Sequence, residues 1–225
     1  MTYRRDSTFY CPYGQLVQRD NGTDLPEILK LRLLRRPKLV SWVVSKCNTH
    51  SGRERYVKEL SKYLQIDIYG KCGRLILKRS RSWEIRYLGA KYKFRITFEN
   101  SVCEDYFTER FFDSLLSYTV PIVLRRTDYE KIAPGSSFIA IDDFRNVRQL
   151  AEYIRYLDLH DEEYLRYFEW QKTKAVEMRN ICFCDLCAAL HEKKKIVETG
   201  SELQHFHAWW HIGNKCIPKF VSSYM

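Results

Sequence analysis

Between Phe94 and Arg110 the chain reads FRITFENSVCEDYFTER, and the middle of that stretch is crowded with groups that do chemistry: Glu99, Asn100, Ser101, Asp105, Tyr106, Thr108, Glu109 and Arg110. Carboxylates accept from hydroxyls, amide and phenol groups both donate and accept, and a guanidinium pairs with phosphate or carboxylate. Arg53 stands apart, at the start of the helical pattern RERYVKEL. A cation there opposes the helix dipole, so local stability does not explain it. An anionic ligand would explain it, and so would plain exposure to solvent. A third group closes the chain: Cys182, Cys184 and Cys187, then His191, His205, His207, His211 and Cys216. This could be a zinc site or a set of disulfides.

The elements that must position these groups follow from periodicity. Phe94 to Phe98 alternates as a strand does, Glu99 to Asp105 is a polar turn, and Thr108-Glu109 opens a helix with apolar Phe111, Phe112, Leu115 and Leu116. Val120 to Leu124 is a buried strand. Strand, loop, helix and strand make a βαβ unit, whose ligands gather where the strand's carboxyl end meets the helix N-terminus. Leu39 to Ser45, a helix from Arg53 to Leu64 and Ile66 to Gly70 repeat the pattern, so Arg53 and the Glu99–Arg110 loop face one crevice. Pro26 to Arg36 reads as a short helix ended by Pro37, Phe138 to Ile141 as a strand, Val147 to Leu157 as a helix, and Asp161 to about Arg179 as another. Asp142-Asp143 reads as a turn before a helix. Cys47 and Cys72 each follow a strand of this sheet at its carboxyl end and are predicted to pair, with Cys103 the rival partner.

The chain has 225 residues, enough for one domain with an appendage, and its 16 Tyr and 12 Phe with few Gly and Pro argue for a packed core. The formal charge of +10 fits a solvated basic surface, nucleic acid or an acidic small ligand. Lys71 to Lys91 mixes basic and aromatic residues as single-strand binders do, yet no RNP, KH or zinc-finger pattern accompanies it, and no nucleic-acid partner is expected. No apolar run approaches the roughly eighteen residues of a membrane span, and Met1 leads into TYRRDS rather than a signal sequence. Eight cysteines and the sequon Asn21-Gly22-Thr23, a candidate glycosylation site at Asn21, point to an extracytoplasmic compartment.

The wording of the central stretch resembles a known signature. FENS, then DYFTER, then VPIV, together with MTYRRDS, PYG, SKCN, RERYVKEL, DIYGKCG, FIAIDDF and YLRYFEW, is similar to the α-1,3/1,4-fucosyltransferases, inverting enzymes that use GDP-fucose. The resemblance covers nearly all of residues 1–185. It implies an α/β, Rossmann-type parallel sheet flanked by helices, the donor-binding half of a GT-B glycosyltransferase. Residues 1–37 would be a linker from the junction with an acceptor-side domain, 38–160 the GDP-fucose-binding domain, and 161–225 a C-terminal helix with a Cys/His-rich tail.

By this resemblance Glu109 accepts from the ribose, Arg110 pairs with the diphosphate alongside Arg53, and Glu99, Asn100 and Tyr106 complete the donor site. Arg110 stands where most relatives carry Lys, Arg125-Arg126-Thr127-Asp128-Tyr129 follows the strand where many put a glycine, and Thr8 stands where an acid is usual. Relatives need no cofactor, although divalent ions such as Mn²⁺ stimulate many of them. Their C-terminal C-x2-C cysteines form disulfides, which places Cys184 and Cys187 among the disulfide candidates ahead of zinc. They are Golgi membrane proteins that fucosylate N-acetylglucosamine in N-glycan or N-acetyllactosamine acceptors, with an anchor, a stem and the catalytic base upstream of the matched region. The expectation is therefore a chain that binds donor and lacks the base. The alternatives are an inactive GDP-sugar-binding remnant and a basic nucleic-acid-binding protein.

Overall fold

A computed structural model of the chain describes residues 1–19, 24–77, 80–178, 182–192, 206, 208–213 and 215–225. The candidate glycosylation site Asn21 lies outside them, as do His205 and His207 and the side chain of His211.

Strand β1 (Gln15–Gln18) and helix α1 (Glu27–Leu34) lead into the first strand of the main sheet, β2 (Lys38–Val43). There follow α2 (Arg53–Leu60), β3 (Ile66–Tyr69), α3 (Arg81–Lys91), β4 (Tyr92–Ile96), α4 (Glu109–Leu116) and β5 (Val120–Val123). Next come the single turn α5 (Arg126–Tyr129), β6 (Ile139–Ala140), α6 (Val147–Leu159), α7 (Asp161–Arg166), β7 (Lys174–Glu177) and α8 (Cys182–His191). The five-stranded sheet has the order β3-β2-β4-β5-β6 and every pair in it is parallel. This is the expected Rossmann-type α/β architecture.

The sheet is buried on both faces, as an all-parallel sheet must be. Val40, Trp42, Phe94, Ile96 and Ile122 turn one way, against Tyr56, Val57 and Leu60 of α2 and Leu150, Ile154 and Leu157 of α6. On the other face Val123 and Ala140 meet Phe111, Phe112 and Leu115 of α4, and Tyr69 and Tyr92 meet Leu88 of α3. The chain steps outward from β2 to β3, then back across β2 to β4 and on to β5 and β6. The reversal falls between β2 and β4, where open α/β sheets part their loops into a ligand crevice.

Two expectations are corrected. The helix from Asp161 stops at Arg166, and Lys174–Glu177 is instead a strand, antiparallel to β1 with Gln15 opposite Glu177. The alternating KAVE pairs with a segment from the other end of the chain, which no local pattern could show. The candidates Cys184 and Cys187 are free and exposed, while Cys182 is bonded to Cys11. Cys182 is buried on the inner side of α8. At about 100° per residue, Cys184 and Cys187 lie roughly 200° and 140° around the helix from it and face away. The predicted Cys47–Cys72 bridge is present, with Cα atoms 5.4 Å apart, and the rival Cys103 pairs with Cys216.

Candidate donor site

The two βα loops beside the reversal are tied into one surface. The Ser51 hydroxyl donates to the Glu99 carbonyl at 2.9 Å, and the Ser51 N–H donates to the Asn100 carbonyl at 3.0 Å. Arg53 does the same from the first residue of α2. Its Nη1 donates to the Phe98 carbonyl, two residues past the end of β4, and its Nη2 to the Lys46 carbonyl in its own loop at 3.2 Å. The guanidinium lies 5.8 Å from the Trp42 ring centre and the residue is 1% exposed. Arg53 is thus neither a solvated surface arginine nor a helix cap. Gly52 before it sits at φ +73°, a left-handed conformation that costs glycine nothing.

Across the crevice the N-terminus of α4 is organised by Glu99. One carboxylate oxygen, Oε1, accepts from the Thr108 N–H at 2.8 Å and from the Thr108 hydroxyl at 2.7 Å. The other, Oε2, accepts from Arg110 Nη1 at 2.9 Å. Thr108 occupies the N-cap position without capping the helix: its hydroxyl donates to Glu99, and its oxygen accepts from Arg110 Nη1 at 2.8 Å rather than from a backbone N–H. Burial pushes the Glu99 carboxyl above the usual glutamate range, and Arg110 and Thr108 pull it only part of the way back. Glu99 is therefore a buried organiser that aims Arg110, rather than part of an open rim.

Burial brings the Arg53 guanidinium down to about 10, and the positive charge of Arg110 adds to the effect. Arg53 Nε has no hydrogen-bond partner, and neither has the buried Asn100 Oδ1. Two guanidiniums thus converge on one crevice; the buried Glu99 offsets both in part, helped by Glu54 at Arg53 and by Glu109 at Arg110. Burial also raises the Tyr106 hydroxyl, which lies within the fields of Glu99 and Arg110. Glu109, the first residue of α4, is half-buried. Asp105, whose φ is +59°, accepts from the Arg5 backbone N–H at 3.1 Å. All six predicted residues, Arg53, Glu99, Asn100, Tyr106, Glu109 and Arg110, are carried by the two loops and the helix starts that follow them.

Other neighbours went unread in the sequence. Tyr13, quoted there only within PYG, is half-exposed beside Glu109 and Glu99, whose charges add to burial in raising its hydroxyl. Tyr3 packs on Tyr106 with ring centres 5.2 Å apart. The C-terminal segment straps both loops: the Lys219 N–H donates to the His50 carbonyl at 2.7 Å, the Ile217 N–H to the Val102 carbonyl at 2.8 Å, and Cys216 is bonded to Cys103. The signal available for this strap was Cys216 itself. Among the described residues no three His, Cys, Asp or Glu side chains are grouped to hold a metal, and Cys182 and Cys216 are spent on disulfides.

Residues 33–209 match the sequence profile of glycosyltransferase family 10 (fucosyltransferase), C-terminal region. The chain belongs to this family. It is 41% identical over 201 residues to glycoprotein 3-alpha-L-fucosyltransferase A of Drosophila melanogaster, covering 87% of this chain and 39% of that protein. Identity to alpha-(1,3)-fucosyltransferase fut-1 of Caenorhabditis elegans is 41% over 172 residues, covering 75% and 40%. Identity to alpha-(1,3)-fucosyltransferase 4 of Mus musculus is 37% over 196 residues, covering 84% and 45%. The chain thus spans less than half the length of these relatives. Among solved structures, a crystal structure of an alpha1,3-fucosyltransferase with GDP-fucose superposes with a TM-score of 0.57 at 26% identity, over 71% of this chain and 48% of that one. The family 10 chain described here contains no helix, among its described residues, long and apolar enough to cross a membrane.

Proposed function

We propose that this family 10 chain is the donor-binding half of an α-1,3-fucosyltransferase and holds GDP-fucose at the carboxyl edge of β2 and β4. The observation that carries the proposal is the convergence of Arg53 and Arg110 on one crevice, with the buried Arg53 Nε left without a hydrogen-bond partner. A diphosphate pairs with two guanidiniums so placed. Arg53 and Arg110 neutralise the diphosphate in the bound donor and more strongly as GDP departs, which is electrostatic catalysis by fixed cations. Glu109 accepts from the ribose hydroxyls. Asn100 and Tyr106 turn their polar atoms to the donor, and Glu99 acts indirectly by holding Arg110 and Thr108.

The neutralisation of the leaving group is thus supplied by this chain's own guanidiniums. Transfer goes with inversion to N-acetylglucosamine of a Golgi glycan, and a carboxylate must take the acceptor's proton. Glu99 is unsuited to that task, since both of its oxygens are engaged and it is 3% exposed. Glu99 is therefore not assigned as the base.

The test is calorimetric titration of the purified chain with GDP-fucose, GDP, GMP and ADP. GDP-fucose and GDP should bind with similar affinity, GMP more weakly because it lacks the second phosphate, and ADP more weakly again. Equal binding of GDP and GMP would remove the diphosphate role of the two arginines.

A further inference from the structure

A cleft of about 590 Å³ opens at the opposite end of the sheet from the donor loops. Its place is fixed by Arg36, which precedes β2. The guanidinium donates to the Tyr92 carbonyl at the start of β4 and to the Ser117 and Tyr118 carbonyls just before β5. These are the amino ends of parallel strands, so an occupant of this cleft cannot touch the donor. One wall is α1 with its C-terminal cap Arg35, which present Ile28, Leu31, Arg32 and Arg35 to it at the i, i+3, i+4, i+7 spacing of a single helix face. The other wall is α3, which contributes Ile85 and Arg86. Ile28 is 61% exposed and Leu31 40%. Arg32, Arg35 and Arg86 are exposed and make no side-chain hydrogen bond or ion pair among the described residues.

We infer that this cleft docks an acidic amphipathic helix of a partner protein, with an apolar stripe laid between α1 and α3 and carboxylates set against Arg32, Arg35 and Arg86. Two helices with an apolar floor between them form the groove in which a third helix buries its i, i+3, i+4, i+7 residues. Unpaired guanidiniums on the rim select carboxylates on the occupant and steer its approach. Charge speaks against a second copy of this chain. A two-fold interface on this face would set the same arginines against themselves. Shape speaks against a bilayer, because a flat headgroup layer would reach the rim arginines and leave the recessed floor between the helices unfilled.

The probe is a synthetic helical peptide with leucines at i, i+3, i+4 and i+7 flanked by glutamates, titrated against the 225-residue chain by fluorescence anisotropy. A lysine-flanked copy serves as control. The acidic peptide is expected to bind, to weaken steeply with salt, and to lose roughly tenfold or more in affinity to the Arg32→Glu/Arg35→Glu double variant and to Leu31→Glu. These positions are exposed, and thermal melts by circular dichroism show whether each variant keeps its fold. Three outcomes overturn the inference: equal binding of the lysine-flanked peptide, no acidic-peptide binding while phosphatidylserine vesicles capture the chain, or self-association in sedimentation that the double variant abolishes.

Discussion

Arg110 Nη1 stands 2.9 Å from Glu99 Oε2, in an ion pair whose carboxylate is 3% exposed while the arginine side chain keeps 28% of its surface. The pair is asymmetric. Burial costs the carboxylate more than Arg110 returns, so its folded pKa lies above the ordinary glutamate value of 4.5. The folded chain then holds the Glu99 proton more tightly than the unfolded chain does. The resulting contribution to stability is fully present below 4.5 and is lost as pH rises through the raised value.

Glu99→Gln mimics the protonated state at every pH. It is therefore expected to raise the melting temperature at neutral pH, with the gain shrinking as pH falls toward 4.5. Thermal melts of both proteins between these limits read the effect. A gain independent of pH, or a loss that grows toward neutrality, would show that Arg110 outweighs burial. A carboxylate kept at such a cost is accounted for by its work on Arg110 and Thr108.

Arg53 bridges the loops that follow β2 and β4 and is proposed to meet the donor's diphosphate, so its replacement should act on both stability and binding. Arg53→Ala removes donors to the Phe98 and Lys46 carbonyls, and Arg53→Lys keeps the charge without the planar fork. GDP affinity should fall by ~1–3 kcal/mol in Arg53→Ala, less in Arg53→Lys, and GMP affinity should fall less than GDP affinity in both. Calorimetry on the variants, after a melt confirms folding, decides this. Identical losses for the two nucleotides would confine Arg53 to a structural role.

The sheet and the crevice were legible in the sequence, because LVSWVV and VPIVL are apolar runs of strand length and the polar residues cluster where βα units place their ligands. What Glu99 does there was not legible. A glutamate one residue past an alternating strand has the same signature whether it lines a rim or is swallowed by the next helix start. The β1–β7 pairing and the strap over the loops were hidden for another reason: they join the two ends of the chain, and sequence patterns report neighbours only. Of the cysteines, Cys47 and Cys72 were readable because both follow strands that pair in the sheet. In Cys182-Phe-Cys184-Asp-Leu-Cys187 the choice of bonded residue depended on which face of α8 turns inward.

The Cys47–Cys72 bridge closes a loop with a sequence separation of 25 across the strands that carry the β2–α2 crevice loop. Loop-closure entropy puts its contribution at about 3.5 kcal/mol. Cys47→Ser/Cys72→Ser should lower stability by roughly that amount in denaturant titrations and loosen the Lys46 end of the loop that Arg53 holds. In the unreduced protein iodoacetamide should label Cys184 and Cys187 alone, since the other cysteines are bonded. Peptide mapping by mass spectrometry checks this, and labelling at Cys47 or Cys72 would contradict the pairing.

The final prediction is that these 225 residues by themselves bind GDP and transfer no fucose. The site's own chemistry leads there. Of the carboxylates around the crevice, Glu99 has both oxygens committed, and Asp105 accepts from Arg5. Glu109 at the start of α4 remains, and the proposed ribose contact occupies it. General-base help is worth ~10²–10⁴ in rate, and positioning of the acceptor is worth more. The donor loops do not share this deficit, since the sheet, the Arg53 bridges and the C-terminal strap form them within the chain. Calorimetry with GDP should therefore show binding where a radiolabelled GDP-fucose assay on N-acetyllactosamine and chitobiose-core acceptors shows no product. If product does appear, Glu109→Gln is the decisive variant. Transfer abolished with GDP affinity intact would make Glu109 the base and overturn its assignment to the ribose, whereas loss of both together would keep Glu109 on the donor and require another base within these residues.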